Sequence, residues 1–203
     1  MRRLILAAGI AASLACAFSL PATARSQSSA PAVEQPLVVA QAAQLDPKDV
    51  VLLDTPHGRV TIGLRPDLAP KHAERIRTLA SRGFYDNVPF HRVIPGFMAQ
   101  TGDPTGTGTG SSDLPNLPAE FSSAPFKRGT VGMARAGSPN SANSQFFICF
   151  DDAPFLEGQY TVIGEVISGM EAVDKIKAGS QANNGTVSNP DKIVRMRLAS
   201  DGK

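Results

Sequence analysis

Two short β-prone runs, residues 50–55 and 59–64, flank Pro56-His57-Gly58, where proline and glycine supply turn geometry. The folded part of the chain therefore reads as opening on a hairpin. After Pro70, the residues Ala73, Ile76, Leu79 and Ala80 recur at helical spacing with charged residues between them, and Gly83 stands just past the end. This pattern predicts an amphipathic helix over 71–82 with a glycine stop. From Val88 to Pro154 the chain is punctuated by Pro89, Pro95, Pro104, Pro115, Pro118, Pro125, Pro139 and many glycines. Only short runs such as 145–150 remain, so short strands joined by irregular loops are expected. Residues 160–166 and 193–199 read as two further strands, with a short helix at about 170–177 between them. The sum is a mainly β domain, expected to close as a barrel with two covering helices.

The first residues follow a different logic. Met1, Arg2 and Arg3 precede an apolar run over 4–20, and Ala22-Thr23-Ala24 follows directly on Pro21. A charged start, an apolar stretch and an A-x-A pattern in that order describe a secretory signal peptide, so 1–24 is read as removed after Ala24 and the protein as periplasmic or secreted. Residues 25–47 are rich in Ser, Ala, Pro, Gln and Val without a sustained period of 2 or 3.6, which reads as a flexible linker. The remainder, 48–203, has the length of one domain with one core.

Charge narrows the partners. The chain carries 20 Lys and Arg against 18 Asp and Glu, and loss of residues 1–24 would remove two of the basic residues and leave it formally neutral. A neutral chain without a basic cluster offers no electrostatic footprint for nucleic acid or an anionic membrane. Of the two cysteines, Cys16 would leave with the signal peptide, and Cys149 alone forms no intramolecular disulfide.

Several familiar chemistries find no support. The glycine-rich stretch from Gly102 to Gly110 lacks the Lys-Ser/Thr ending of a phosphate loop, carries Pro104 and precedes no helical pattern, so it reads as a flexible loop. His57, His72 and His91 stand at no metal-ligand spacing. Cys149 sits inside the apolar run 146–150, where a cysteine is far more often packed than reactive. The informative stretch is Phe90-His-Arg-Val-Ile-Pro-Gly-Phe-Met-Ala-Gln-Thr-Gly-Asp103, in which Arg92 stands among Phe90, Val93, Ile94, Phe97 and Met98. If the segment is one strand, a bulge at Pro95-Gly96 could aim Arg92, Ile94, Phe97, Met98 and Gln100 to a common face. A surface arginine lying over a core edge is the competing reading of this segment alone.

That stretch resembles the signature of the cyclophilins, and a second follows in order: Met133-Ala-Arg-Ala136, then Ser144-Gln-Phe-Phe-Ile148, with Phe155-Leu156 and Gly164 continuing the match. The resemblance covers about residues 50–198. It implies eight antiparallel strands closed into a barrel, two capping helices and a substrate groove on the outer surface. It also implies peptidyl-prolyl cis-trans isomerase activity on proline-containing polypeptides by a monomer, serving the folding of exported proteins, with no metal or organic cofactor. By position, Arg92 matches the catalytic arginine and Gln100 the glutamine that orients it. Phe97, Met98, Phe147 and Leu156 match the walls of the proline pocket. Ala134, Arg135 and Ala136 match the strand that pairs with the peptide, Gly108 a loop glycine beside the groove, and Gln145 its floor. Phe155 and Tyr160 stand where the best-known eukaryotic members carry tryptophan and histidine. The missing indole N–H is a donor that the inhibitor cyclosporin uses, which implies weaker inhibition with proline binding intact. A non-catalytic binding module on the same fold would be marked by a lost arginine or a blocked pocket, and Arg92, Phe97, Met98, Gln100 and Phe147 are all present.

Overall fold

A computed structural model describes residues 45–201, so the signal-peptide reading of 1–24 and nearly all of the 25–47 linker lie outside the described residues. Eight strands form one antiparallel sheet: β1 (Val50–Thr55), β2 (Gly58–Leu64), β3 (Arg92–Ile94), β4 (Met98–Thr101), β5 (Thr130–Met133), β6 (Phe146–Cys149), β7 (Thr161–Ser168) and β8 (Arg195–Leu198). Their order across the sheet is β3-β4-β6-β5-β7-β2-β1-β8. The β1–β2 hairpin turns at Pro56-His57, with Thr55 opposite Gly58 and the Thr55 hydroxyl donating to the Gly58 carbonyl at 2.8 Å. Because side chains alternate across a strand, Val51 and Leu53 of β1 and Val60, Ile62 and Leu64 of β2 enter the same core.

Helix α1 (Pro70–Ser81) covers that core with Ala73, Ile76, Leu79 and Ala80, the four positions its spacing singles out. Its start is capped from a distance. Ala69, at the N-cap, has no side chain able to accept, and Glu120 supplies the missing acceptor: its carboxylate receives the backbone N–H of Lys71 and of His72, each at 3.1 Å, and pairs with His72 Nδ1 at 2.7 Å. A negative group there also complements the helix dipole. Arg75, buried on the same helix, donates to the carbonyls of Pro115 at 2.7 Å and Asn143 at 3.2 Å. The helix thereby ties down the long irregular stretch between β4 and β5. Helix α2 (Met170–Val173) is shorter than the 170–177 its sequence suggests, because the N–H groups of Lys175 and Ile176 bond three residues back and tighten the chain into turns.

The sheet is open. It curls strongly into a half-barrel whose edges stand 18 Å apart, which corrects the expectation of a closed barrel. Strand β3 pairs only with β4, and β8 only with β1. The segment preceding β8 docks against residues 87–93 through single backbone bonds, among them Asn87 N to Ile193 O, Phe90 N to Asp191 O and Val93 N to Gly185 O. Pro89 and Pro190 fall in these two segments, and a residue without an N–H cannot sustain a ladder there.

Candidate active site

The segment from Arg92 to Thr101 is a hairpin rather than one bulged strand. The chain reverses at Pro95-Gly96, Phe97 N bonds back to Ile94 O at 3.0 Å, and Gly96 takes a φ of +72°. The reversal pairs Arg92 with Gln100, Val93 with Ala99 and Ile94 with Met98. Strand β6 then sets Phe147 opposite Gln100, and β5 sets Gly132 opposite Phe147. Residues paired across a sheet point to one face. Arg92, Gln100 and Phe147 therefore form a row across three strands on the face away from the main core, whereas Val93, Ala99, Phe146 and Ile148 point into that core.

The apolar half of this outer face is a second cluster, in which Met98, Phe147 and Leu156 are buried with Phe126, Cys149, Ala153 and Val162, and Phe97, Ala134 and Tyr160 pack against them. The ring of Phe147 stacks on Phe126 with centroids 6.0 Å apart and meets Tyr160 edge-on at 5.8 Å. Phe155 lies 62% exposed and leans on Phe97 at 5.3 Å between centroids. The result is an apolar shelf in which Phe155 is exposed and Phe97 and Tyr160 are partly so, with Phe126 and Phe147 buried behind them. Gly132 makes room for it, since a Cβ at that position would run into Phe147 Cζ and Phe126 Cε1.

The polar half is a chain of hydrogen bonds. Arg92 Nη1 donates to Gln100 Oε1 at 3.1 Å, and Gln100 Nε2 donates to Gln145 Oε1 at 2.9 Å. Gln145 Nε2 in turn donates to the carbonyls of Gly108 at 3.1 Å and Gly110 at 2.8 Å. These carbonyls belong to the glycine-rich loop, which is tied down rather than free. The Asp103 carboxylate accepts from Thr105 N and Thr105 Oγ1 at 2.7 Å, Gly108 N at 2.7 Å and Gly110 N at 3.0 Å. Burial alone would raise the Asp103 pKa, but these donors outweigh it and hold the group at about 2.

On its other side Arg92 is gripped by Asn184, whose backbone carbonyl accepts from Nε at 3.0 Å and whose Oδ1 accepts from Nη2 at 2.9 Å. No acidic group within the described residues pairs with Arg92. Burial lowers its pKa, with Tyr160 acting the other way, and an arginine remains a cation at physiological pH regardless. Arg135 completes the rim: its guanidinium lies 4.7 Å from the Tyr160 ring centroid and donates to Gln159 O at 3.1 Å and Ala136 O at 3.0 Å. Cys149 is buried beneath this face and its thiol is pushed up to about 12 by burial, which deprives it of nucleophilic character.

Of the thirteen residues singled out from sequence, the structure links Arg92, Gln100, Gln145 and Gly108 by hydrogen bonds and packs Phe97, Met98, Ala134, Phe147, Phe155, Leu156 and Tyr160 together, with Arg135 over Tyr160 and Ala136 joined to them through its neighbour Arg135. It adds four that sequence reasoning did not assign: Asn184, Asp103, Gly132 and Phe126. Asn184-Gly185 does signal a turn, but nothing in the linear pattern says what that turn grips.

Comparison with known proteins gives a consistent picture. The family model described as cyclophilin type peptidyl-prolyl cis-trans isomerase matches residues 50–198. A Brucella suis protein called "Probable peptidyl-prolyl cis-trans isomerase" is 58% identical over 176 residues, covering 81% of this chain and 90% of its own. A "Peptidyl-prolyl cis-trans isomerase-like 1" of Aspergillus oryzae is 42% identical over 159 residues, covering 75% of this chain and 97% of its own. Among solved structures, a cyclophilin from Hirschia baltica superposes with a TM-score of 0.70 at 28% identity, over 77% of this chain and 76% of that one. A cyclophilin type isomerase of Cryptosporidium parvum, crystallised in the presence of the dipeptide Ala-Pro, gives 0.67 at 29% identity over 73% and 98%.

Proposed function

The chain belongs to the cyclophilin-type peptidyl-prolyl cis-trans isomerases, and we propose that it accelerates rotation about X-Pro bonds at the outer-face groove, with Arg92 as the catalytic residue and the Phe97, Met98, Phe147 and Leu156 shelf as the seat of the proline ring. The chemistry sets the demand. A prolyl amide interconverts slowly because its C–N bond has partial double-bond character and a barrier of about 20 kcal/mol. As the amide twists, conjugation is lost and the proline nitrogen becomes pyramidal, regaining a lone pair. A donor fixed at that nitrogen binds the twisted amide better than either planar form, and only such differential binding accelerates the step.

The row of Arg92, Gln100 and Phe147 is the observation that carries this reading. Of the five N–H groups of a guanidinium, three are held by Gln100 and Asn184, leaving one each on Nη1 and Nη2. All three acceptors are neutral oxygens, so the positive charge is oriented without being cancelled. Apolar walls strengthen its interaction with the substrate by excluding water. Ala134, Arg135 and Ala136 would line the peptide backbone, and Gly108, Gln145, Phe155 and Tyr160 the groove's floor and rim.

The test is exchange spectroscopy on a prolyl tetrapeptide. Substoichiometric protein is expected to bring cis and trans signals into exchange orders of magnitude faster than the free peptide, which takes tens of seconds. A peptide that binds without faster exchange would leave a binding module instead of a catalyst.

The same proposal extends to clients. Residues 1–24 have the order of a cleaved signal peptide, so the enzyme would act on proteins folding outside the cytoplasm. Sequencing the mature N-terminus should find Arg25, and a mature chain that retains residues 1–20 would overturn the export reading.

A further inference from the structure

We infer that Asn184 is a positioning residue, which fixes the guanidinium of Arg92 in the plane and direction that the reaction uses; the inference rests on the reading of Arg92 given above. An arginine side chain has four rotatable bonds, and one hydrogen bond to Gln100 would leave the guanidinium free to swing about the Nη1 contact. Asn184 removes that freedom by accepting twice, through its backbone carbonyl from Nε and its Oδ1 from Nη2, on the opposite edge from Gln100. Three contacts on three different nitrogens define a plane.

The grip is itself built rigidly. Asn184 sits at φ +53°, in the left-handed region where asparagine is tolerated far better than bulkier residues. It ends the short turn Gln181–Asn183. Its neighbour Gly185 lies flush against β3: its carbonyl accepts from Val93 N at 2.8 Å, and a Cβ there would collide with Ile94 Cγ1 and approach Val93 O at 3.1 Å. Thr186 bridges to Arg92 itself and to Ser180. The carbonyl and amide of Asn184 are thus delivered to Arg92 by backbone pairing on β3, the strand that carries the arginine. Preorganised donors owe their effect to being held before the substrate arrives, and small misplacements of reacting groups cost large factors in rate.

The test compares Asn184→Gly, which keeps the left-handed backbone and its carbonyl but deletes Oδ1, in the wild-type chain and in Arg92→Ala. The expected result is a fall in kcat of about tenfold, with KM within twofold, in the wild-type background and no further fall in Arg92→Ala. Asn184→Asp, which tolerates the same backbone and keeps an acceptor at that position, should also lose kcat with little change in KM, because its carboxylate cancels the guanidinium charge. Full activity of Asn184→Gly, whatever Asn184→Asp does, or an equal loss from Asn184→Gly in both backgrounds, would overturn the positioning role. If Arg92→Ala retains wild-type turnover, it is the reading of Arg92 that fails, and this outcome is separate from the other two.

Discussion

Replacing Arg92 by alanine is expected to lower kcat/KM for a prolyl tetrapeptide by about 10²- to 10³-fold, the usual consequence of deleting one preorganised donor aimed at a developing lone pair. Peptide affinity should fall only severalfold, since the apolar shelf of Phe97, Met98, Phe147 and Leu156 is untouched. Stability should change little. Arg92 is partly exposed, and the acceptors it releases, Gln100 Oε1 and the two oxygens of Asn184, can turn to water. Arg92→Lys discriminates charge from shape: an ammonium keeps the charge but cannot meet Gln100 and both oxygens of Asn184 in one plane, so only part of the activity should return. Stopped-flow or exchange measurements of isomerisation, with thermal melts of each variant, decide the matter. A folded Arg92→Ala protein with wild-type turnover would sink the mechanism and return Arg92 to the role of a surface residue covering a core edge.

How much of this was legible beforehand depends on the range over which each feature is encoded. Helix α1 is a local pattern, and Ala73, Ile76, Leu79 and Ala80 reach the core as their spacing requires. Its cap is not local, because Ala69 cannot accept and Glu120 arrives from the loop between β4 and β5. Two long motifs mark out residues of the outer face, yet the geometry of that face is not legible in them. A strand bulged at Pro95-Gly96 and a hairpin reversing there place the same residues on one face by different means, and only the antiparallel pairing of β3 with β4 shows which obtains. Sheet closure is not encoded in the strand pattern for a related reason. Counting eight strands says nothing about whether the outer two meet, and here the prolines flanking the gap leave single bonds where a ladder would have to run. Asn184 is 92 residues from the arginine it holds, beyond the reach of any periodicity.

The glycine-rich loop shows how composition can mislead about order. Gly102 to Gly110 has the makeup of a flexible connector, but one buried carboxylate gathers its N–H groups and turns its carbonyls toward Gln145. From Asp103 the chain of contacts runs through Gly108 and Gly110 to Gln145, to Gln100 and to Arg92. The loop lies on the hydrogen-bonded path that ends at Arg92, so, on the proposed role of that arginine, loosening it should be felt as lost rate as well as lost stability.

Asp103→Asn separates these two effects. The substitution keeps the size of the side chain but replaces one oxygen by an NH₂ group, and both oxygens are surrounded by donors: Thr105 N and Oγ1 on one, Gly108 N and Gly110 N on the other. With its NH₂ toward Gly108 and Gly110 the amide faces two backbone donors, and turned the other way it faces Thr105 N, where only the Thr105 hydroxyl can rotate to accept. Loss of charge-assisted bonds and burial of unmatched N–H groups together should destabilise the fold by about 2–4 kcal/mol. The acid limb of stability gives an independent check. The folded pKa of about 2 lies below the unfolded value of 3.8, so this carboxylate stabilises the native state fully above pH 4. That contribution is lost as pH falls through about 2, and the depression is worth about 2 kcal/mol. Urea melts between pH 5 and 2 should therefore show the wild-type protein losing stability more steeply than Asp103→Asn, with the two curves converging at the acid end. At neutral pH, where the variant is still mostly folded, kcat should fall with faster hydrogen exchange at the amides of Gly108 and Gly110, because the carbonyls that orient Gln145 move with them. A variant within about 0.5 kcal/mol of wild type, with unchanged exchange and unchanged kcat, would show that the loop needs no charged anchor and that Arg92 is oriented without it.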